Sequence, residues 1–201
     1  MTNNTLARQF EKPKGFLGKI VGLVMYFENR KINRWTINKL KVRKCTDILE
    51  IGYGPGYAIH SIMSRYRTVS VDGIDLSGKM KTQAEKVNRD WVEMGKVQLF
   101  KGDIQNYNPG KQYEHVFSVN NYPLWDKQEQ SLKRIYRIMK TGGKLALTVQ
   151  PREEGSDDQT ARDLGDKMQA DLENAGFKDV HVSFLKARPV LTVCATATKI
   201  N

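Results

Sequence analysis

A glycine-rich stretch after the first apolar run offers backbone groups to a ligand. Residues 50–56 read Glu-Ile-Gly-Tyr-Gly-Pro-Gly. Glycines permit a tight turn from a strand into a helix, and they let a ligand approach the backbone closely. A dinucleotide-binding loop has the spacing G-x-G-x-x-G/A, whose last position, counted from Gly52, is the bulky Tyr57. The G-x-G-x-G spacing found here favours a ligand that lacks a pyrophosphate and lies across the strand end.

Two carboxylates follow the next two apolar runs. Asp75 ends the second run, 19 residues after Gly56, and a carboxylate there can accept hydrogen bonds from both hydroxyls of a ribose. Asp103 follows the third run, where its side chain can accept a hydrogen bond from an adenine amino group and Ile104 can cover the ring. Together these residues predict a nucleoside site beside the glycine-rich loop. The alternatives for each motif alone are a structural turn at the glycines and a solvated Asp75 that caps the next helix.

A polar and aromatic segment follows the fourth apolar run. Residues 120–125 read Asn-Asn-Tyr-Pro-Leu-Trp. Asn120 stands at the predicted strand end and is the first candidate for contact with a second ligand. Tyr122 and Trp125 can form an aromatic wall beside a cationic or planar group. The alternative is a loop anchored in the core by its aromatic residues.

The elements that must position these motifs alternate between strand and helix. Apolar runs predict strands over 47–51, 69–74, 97–100, 113–119, 144–149, 178–185 and 190–197. Helical spacing predicts helices over 57–67, 77–94 (with Ser77 as N-cap), 127–139 and 157–175. This alternation favours a largely parallel sheet covered on both faces. The last two strands have no helix between them, so they predict a hairpin and one antiparallel strand.

The first 46 residues differ in charge from the rest. They hold 11 Lys and Arg against two Glu, a net +9, whereas the whole chain has a net charge of +11. Helical spacing predicts two helices here, over 16–28 and 30–42. We therefore predict a basic N-terminal helical segment, 1–46, that caps the site or contacts a membrane or substrate, and a second unit, 47–201. A basic segment attracts nucleic acid, an anionic membrane surface or an acidic small molecule; the alternative is a solvated basic face.

Composition argues against a membrane span and a metal site. The longest apolar run, residues 16–27, has 12 residues and contains Lys19, whereas a spanning helix needs about 20. No small-residue cleavage site follows it, so we predict a cytoplasmic protein. Cys45 and Cys194 lack metal-ligand spacing, and the three histidines are scattered. We predict no metal site and two reduced core thiols.

Over residues 47–201 the sequence resembles class I S-adenosylmethionine-dependent methyltransferases. LEIGYGPG matches their first motif, VDGIDLS their acidic motif, and FKGDIQ their adenine motif. RIMKTGGKLAL and NAGFKDVHV match their approaches to the fifth strand and to the last hairpin. The resemblance implies a Rossmann-like three-layer α/β sandwich with a seven-stranded sheet of order 3-2-1-4-5-7-6, strand 7 antiparallel, preceded by N-terminal helices.

The resemblance also implies S-adenosyl-L-methionine as the cofactor and S-adenosyl-L-homocysteine as its product. Glu50 would orient the methionine amino end, Asp75 would bind the ribose, and Asp103 with Ile104 would bind the adenine. The complete set of expected cofactor contacts is Glu50, Gly52, Tyr53, Gly54, Gly56, Asp75, Leu76, Asp103, Ile104 and Asn120.

On the acceptor side the resemblance is thinner. Methyl transfer from a sulfonium is an in-line displacement on an activated carbon, so the protein mainly aligns the acceptor. We expect catalytic roles for Asn120 and Tyr122, and acceptor contacts from Tyr26, Tyr122 and Trp125. The segment superficially resembles the N-P-P-Y motif of amino-group methyltransferases, but it lacks the adjacent prolines, so that chemistry is not carried over.

Four functions follow from these features. The first is methyl transfer to a small-molecule acceptor, anionic if the basic segment caps the site. The second is an interfacial phospholipid or quinone methyltransferase whose basic N-terminus lies on a membrane. An RNA methyltransferase ranks lower, because the sequence contains no recognisable RNA-binding module. The non-enzyme alternative is a scaffold that binds the cofactor without turnover.

Overall fold

The computed structural model describes residues 29–44 and 46–200. The helix predicted over 16–28, with Tyr26, and Cys45 lie outside the described residues. The described chain starts with helix α1, residues 29–40. The elements that follow are β1 (Asp47–Ile51), α2 (Tyr57–Arg65), β2 (Ser70–Asp75), α3 (Gly78–Val87), α4 (Arg89–Glu93), β3 (Val97–Lys101), β4 (Tyr113–Val119), α5 (Gln128–Ile138), β5 (Met139–Val149), α6 (Asp158–Asn174), β6 (Lys178–Leu185) and β7 (Thr192–Thr198).

The seven strands form one sheet of order β3-β2-β1-β4-β5-β7-β6. Strands β1 to β5 pair in parallel, and β7 is antiparallel to both of its neighbours, β5 and β6. This confirms the predicted Rossmann-like sheet and its closing hairpin. Because parallel strands end at one edge of a sheet, the segments after β1, β2, β3 and β4 meet there.

Helix α1 belongs to the core of this domain. Ile37 and Leu40 are at most 2% exposed, and they share an apolar cluster with residues of β1, β4 and β7. The Thr36 hydroxyl donates to the Thr148 hydroxyl of β5 at 2.7 Å. A cut at the predicted boundary, residue 46, would therefore remove part of the core. The expectation that the N-terminus caps the site stays a prediction for residues 1–28.

The helix predicted over 77–94 is in fact two helices. Ser77 is the N-cap of α3, as predicted, since its hydroxyl accepts a hydrogen bond from the Met80 N–H. The first helix ends at Asn88, which is fully buried. The Asn88 amide donates to the carbonyl oxygens of Ala84, at 2.9 Å, and of Gly56, at 3.1 Å. A contact with a distant loop thus interrupts a segment whose spacing is helical throughout.

Strand β5 begins five residues earlier than predicted. Met139 pairs with Tyr113 and Lys144 pairs with His115, so the register shifts between these two pairs. Gly142, at φ +78°, lies within the shift. The residues predicted as a turn into the strand therefore form an irregular first part of that strand.

Within residues 29–44 and 46–200, no helix is long and apolar enough to cross a membrane. The same residues contain no group of three or more His, Cys, Asp or Glu that could hold a metal ion. Cys194 is buried in β7, and burial raises the pKa of its thiol to about 11. It is therefore a protonated core thiol at neutral pH.

Candidate functional site

The loop between β1 and α2 contains three glycines in the left-handed region. Gly52, Gly54 and Gly56 have φ values of +74°, +51° and +82°. A Cβ placed on Gly52 would lie 2.4 Å from the Asn121 side chain, and one on Gly56 would lie 2.6 Å from the Asn88 side chain. No described atom lies within 4 Å of the same position on Gly54. The loop is therefore packed at both ends and open in the middle.

The Asp75 carboxylate braces this loop from the end of β2. Its Oδ2 accepts a hydrogen bond from the Gly54 N–H at 2.9 Å, and its Oδ1 accepts one from the Ser77 N–H at 2.8 Å. The side chain is half-buried. Each carboxylate oxygen has a second lone pair, so the group can also accept hydrogen bonds from two ligand hydroxyls, as a ribose contact requires.

Glu50 lies beneath the loop with an unsatisfied oxygen. The residue is 3% exposed, and its Oε2 has no hydrogen-bond partner among the described residues. Burial, and next the charge of Asp75, raise the pKa of the Glu50 carboxyl well above its ordinary value of 4.5. A buried acceptor without a donor costs free energy. An ammonium group would satisfy it, so this position fits the amino end of a bound methionine group.

We expect Glu50→Gln to stabilise the ligand-free protein, and more at pH 8 than at pH 5. The pKa of Glu50 is raised on folding, so the stability that its protonated form contributes is full below the unfolded pKa of about 4.3 and is lost as pH rises through the folded pKa. Glutamine does not titrate. Urea unfolding at both pH values, with the exposed Glu93→Gln as control, measures this; equal effects at pH 5 and pH 8 would contradict it.

The residues expected around an adenine differ in exposure. Asp103 is half-buried, and its Oδ1 accepts a hydrogen bond from the Gln105 N–H at 2.8 Å. Ile104 is 3% exposed and packs in the core, whereas Leu76 is 68% exposed. The apolar surface open to an adenine ring is therefore that of Leu76 rather than Ile104.

Tyr53 is a packing residue under the loop. It is 3% exposed, and its hydroxyl donates to the Phe100 carbonyl oxygen at 3.1 Å. A Cβ on Gly73 of β2 would lie 2.6 Å from the Tyr53 ring. The Tyr53 side chain is thus occupied in the core.

The structure does not support the expected catalytic role of Tyr122. This residue is fully buried. Its hydroxyl donates to Asp171 of α6 and accepts a hydrogen bond from Lys167 of the same helix. Desolvation and the Asp171 contact raise the pKa of the hydroxyl above its ordinary value of 10. Tyr122 therefore anchors the loop after β4, which is the alternative considered for its aromatic residues.

Two other predicted residues of this loop also make internal contacts. Asn120 has φ +55°, and its Oδ1 accepts a hydrogen bond from the Gln150 N–H after β5 at 2.8 Å. Trp125 is partly buried, and its Nε1 donates to Asn121 Oδ1 at 2.7 Å. Asn120 thus joins the ends of β4 and β5, while Trp125 holds the side chain of Asn121 in place.

Asn121 is the residue that sequence reasoning missed. Its carboxamide carbon and Nδ2 both lie 2.4 Å from the position that a Cβ would take on Gly52. The Asn121 side chain, which follows β4, thus packs against the glycine-rich loop at Gly52. The sequence pointed to Asn120 because it stands at the end of the predicted strand. The left-handed backbone of Asn120, at φ +55°, has no signal in the sequence.

Comparison with known proteins identifies the family. A model described as a methyltransferase domain matches residues 48–143. The uncharacterized methyltransferase YdaC of Bacillus subtilis (strain 168) is 40% identical over 181 residues, which cover 90% of this chain and 98% of that protein. This chain is a class I methyltransferase.

More distant similarities agree with this family. Malonyl-[acyl-carrier protein] O-methyltransferase 1 of Ilyobacter polytropus is 27% identical to this methyltransferase, over 64% of the chain and 48% of that protein. The N-methyltransferase NodS of Bradyrhizobium japonicum WM9, in complex with S-adenosyl-L-homocysteine, has a TM-score of 0.70 at 14% identity and covers 87% of the chain and 88% of NodS. At that identity the likeness shows the fold alone.

Proposed function

We propose that this methyltransferase transfers the methyl group of S-adenosylmethionine to a small-molecule acceptor by in-line displacement. The observation that carries the cofactor assignment is the unpartnered, buried Oε2 of Glu50 beneath the glycine-rich loop. A cationic or donor group from a ligand would satisfy this oxygen. The amino end of S-adenosylmethionine supplies one.

The other residues of the site would bind the remaining parts of the cofactor. Asp75 would accept hydrogen bonds from the ribose hydroxyls while it holds Gly54 in place. The exposed side chain of Leu76 would pack on the adenine ring, with Asp103 near the adenine amino group. The bound cofactor supplies an activated methyl group. The chain therefore has to bind and orient the acceptor and to exclude water.

Neither His60 nor His115 is placed as a base. The exposed His60 on α2 lies against the Val87 carbonyl oxygen at 3.2 Å and edge-on to Trp91. His115 is buried in the middle of β4, where burial lowers its pKa to about 4. These placements favour an acceptor that is nucleophilic without the help of a base, such as an amine or a thiolate.

The relatives support a small acceptor without identifying it. One of them is named for its action on malonyl-[acyl-carrier protein], but this chain spans about half the length of that protein. Its acceptor, a carboxylate, also needs no deprotonation at neutral pH. Carboxylates therefore belong with amines and thiolates among the acceptors to be screened.

The test begins with calorimetric titration of S-adenosylmethionine and S-adenosylhomocysteine into the intact chain, where we expect micromolar binding. Acceptor libraries of amines, thiols and carboxylic acids would then be incubated with a cofactor that carries a trideuterated methyl group, and labelled products detected by mass spectrometry. A folded protein that binds neither ligand would contradict the proposal. Binding without transfer to any acceptor would favour the scaffold alternative.

Removal of residues 1–28 tests the proposed cap over the acceptor. We expect turnover to be lost while cofactor affinity changes less than threefold, because the deletion spares α1 and its core residues. Unaltered turnover would contradict the cap. Salt-sensitive co-sedimentation of the full chain with anionic vesicles would favour the interfacial alternative, and RNA binding with a steep salt dependence would favour the RNA alternative.

A further inference from the structure

The Asn121 side chain has a fixed orientation over the glycine-rich loop. The Trp125 Nε1–H can only donate a hydrogen bond, so the Asn121 atom that faces it at 2.7 Å must be the carboxamide oxygen. The nitrogen therefore points elsewhere. The position of a Cβ on Gly52 lies 2.4 Å from Nδ2 and 2.8 Å from Oδ1, so the carboxamide packs against Gly52 with its nitrogen nearer than its oxygen.

This orientation is braced on several sides. The main-chain carbonyl oxygen of Asn121 accepts a hydrogen bond from the Leu124 N–H at 2.9 Å, and this bond begins a short 3₁₀ turn. The next residue, Tyr122, is anchored to α6, and its ring packs edge-on against Trp125 with 5.4 Å between centroids. The carboxamide is thus held by the fold before any ligand binds.

The site presents two complementary groups at the amino-acid end of the proposed cofactor. Glu50 offers an oxygen that needs a cationic donor, and Asn121 offers a nitrogen with two N–H donors. An amino acid carries an ammonium and a carboxylate on one carbon atom. The two protein groups lie at the same loop, since Glu50 is two residues before Gly52 and Asn121 contacts Gly52.

We propose that Asn121 is a cofactor-binding residue whose Nδ2 donates a hydrogen bond to the α-carboxylate of the methionine part of S-adenosylmethionine. This inference rests on the proposed function. It assigns the carboxylate contact to a side chain that the sequence motifs leave out. Gly52 is glycine partly because this side chain lies against it.

The decisive variant is Asn121→Asp, which is nearly isosteric. The aspartate still accepts the Trp125 hydrogen bond, so the loop keeps its brace, but the donor that faces the ligand becomes a carboxylate oxygen. We expect the affinity for S-adenosylhomocysteine to fall at least tenfold. The affinity for 5′-methylthioadenosine, which has the nucleoside and the sulfur but no amino-acid end, should change less than twofold.

Two further variants complete the experiment. Asn108→Asp makes the same change of charge at an exposed site, where Oδ1 accepts a hydrogen bond from Arg134, and both affinities should stay unchanged. Trp125→Phe keeps an aromatic ring and removes the hydrogen bond that orients Asn121, so a smaller loss, confined to S-adenosylhomocysteine, is expected. Calorimetry measures all of these affinities.

The outcomes separate this inference from the proposed function. If the intact protein binds neither S-adenosylhomocysteine nor S-adenosylmethionine, the proposed function fails, and this inference with it. If the intact protein binds and Asn121→Asp binds equally well, only the inference is overturned. Equal losses for S-adenosylhomocysteine and 5′-methylthioadenosine would overturn it too, because they would show a general distortion of the loop.

Discussion

Asp75→Asn is expected to weaken S-adenosylhomocysteine binding about a hundredfold, or about 2.7 kcal/mol. The carboxylate oxygens of Asp75 accept hydrogen bonds from the Gly54 and Ser77 N–H groups, and the ribose hydroxyls would be two more donors. Asparagine replaces one oxygen with an NH₂ group that would face a donor. Charge-assisted hydrogen bonds contribute about 1.5–3 kcal/mol each, so the loss of one such group accounts for the expected effect.

The ribose contact can be separated from the bracing of the loop. Intact protein should bind S-adenosylhomocysteine more tightly than its 2′-deoxy analogue, and Asp75→Asn should abolish most of that difference. Asp90→Asn, an exposed change of the same charge on α4, should leave both affinities unaltered. If Asp75→Asn weakened the two ligands by the same factor, Asp75 would not contact the 2′-hydroxyl.

Two alanine substitutions within the loop should differ in their main effect: Gly56→Ala should mainly lower stability, and Gly54→Ala should mainly lower cofactor affinity. At Gly56 a methyl group would lie 2.6 Å from Asn88 Nδ2 and 2.8 Å from the Ala84 Cβ, at φ +82°. We expect Gly56→Ala to lower the free energy of unfolding by about 2–4 kcal/mol, from overpacking and backbone strain together. At Gly54 the methyl group would meet no described atom within 4 Å.

Gly54→Ala should therefore cost only about 1–2 kcal/mol of stability from its φ of +51°. Its methyl group would occupy the space proposed for the ligand, so cofactor affinity should fall more than tenfold. Gly110→Ala, at φ +67° with no atom of the described residues within 4 Å, isolates the strain. Urea unfolding and calorimetry on the three variants measure both quantities. If Gly54→Ala left the cofactor affinity unaltered, Gly54 would not be a ligand contact.

The sequence predicted the parts of the fold that local patterns determine. Strands β1, β4 and β6 have the predicted bounds, and the sheet order implied by the family resemblance is confirmed. The break at Asn88 was missed because its cause is a hydrogen bond to Gly56, 32 residues away. The early start of β5 was missed because Gly142, which reads as a turn residue, lies inside a shifted strand pairing.

The sequence predicted the cofactor side of the site better than the segment after β4. On the cofactor side, recognisable motifs placed Glu50 and Asp75 beside the loop. After β4, the side chains are arranged by contacts with α6 and β5, which sequence spacing does not reveal. Tyr122 is therefore buried, and Asn121, which the predictions leave out, lies against Gly52.

The hydrogen bond from Asn88 to the Gly56 carbonyl oxygen bears on the thermodynamics of binding. Together with the bonds from Gly52 to Ile74 and from Gly54 to Asp75, it holds the backbone of the glycine-rich loop at both ends and in the middle. A loop held in this way has lost its conformational entropy during folding, so ligand binding does not incur that loss again. The glycines, the most flexible residues in an unfolded chain, here form a preorganised surface.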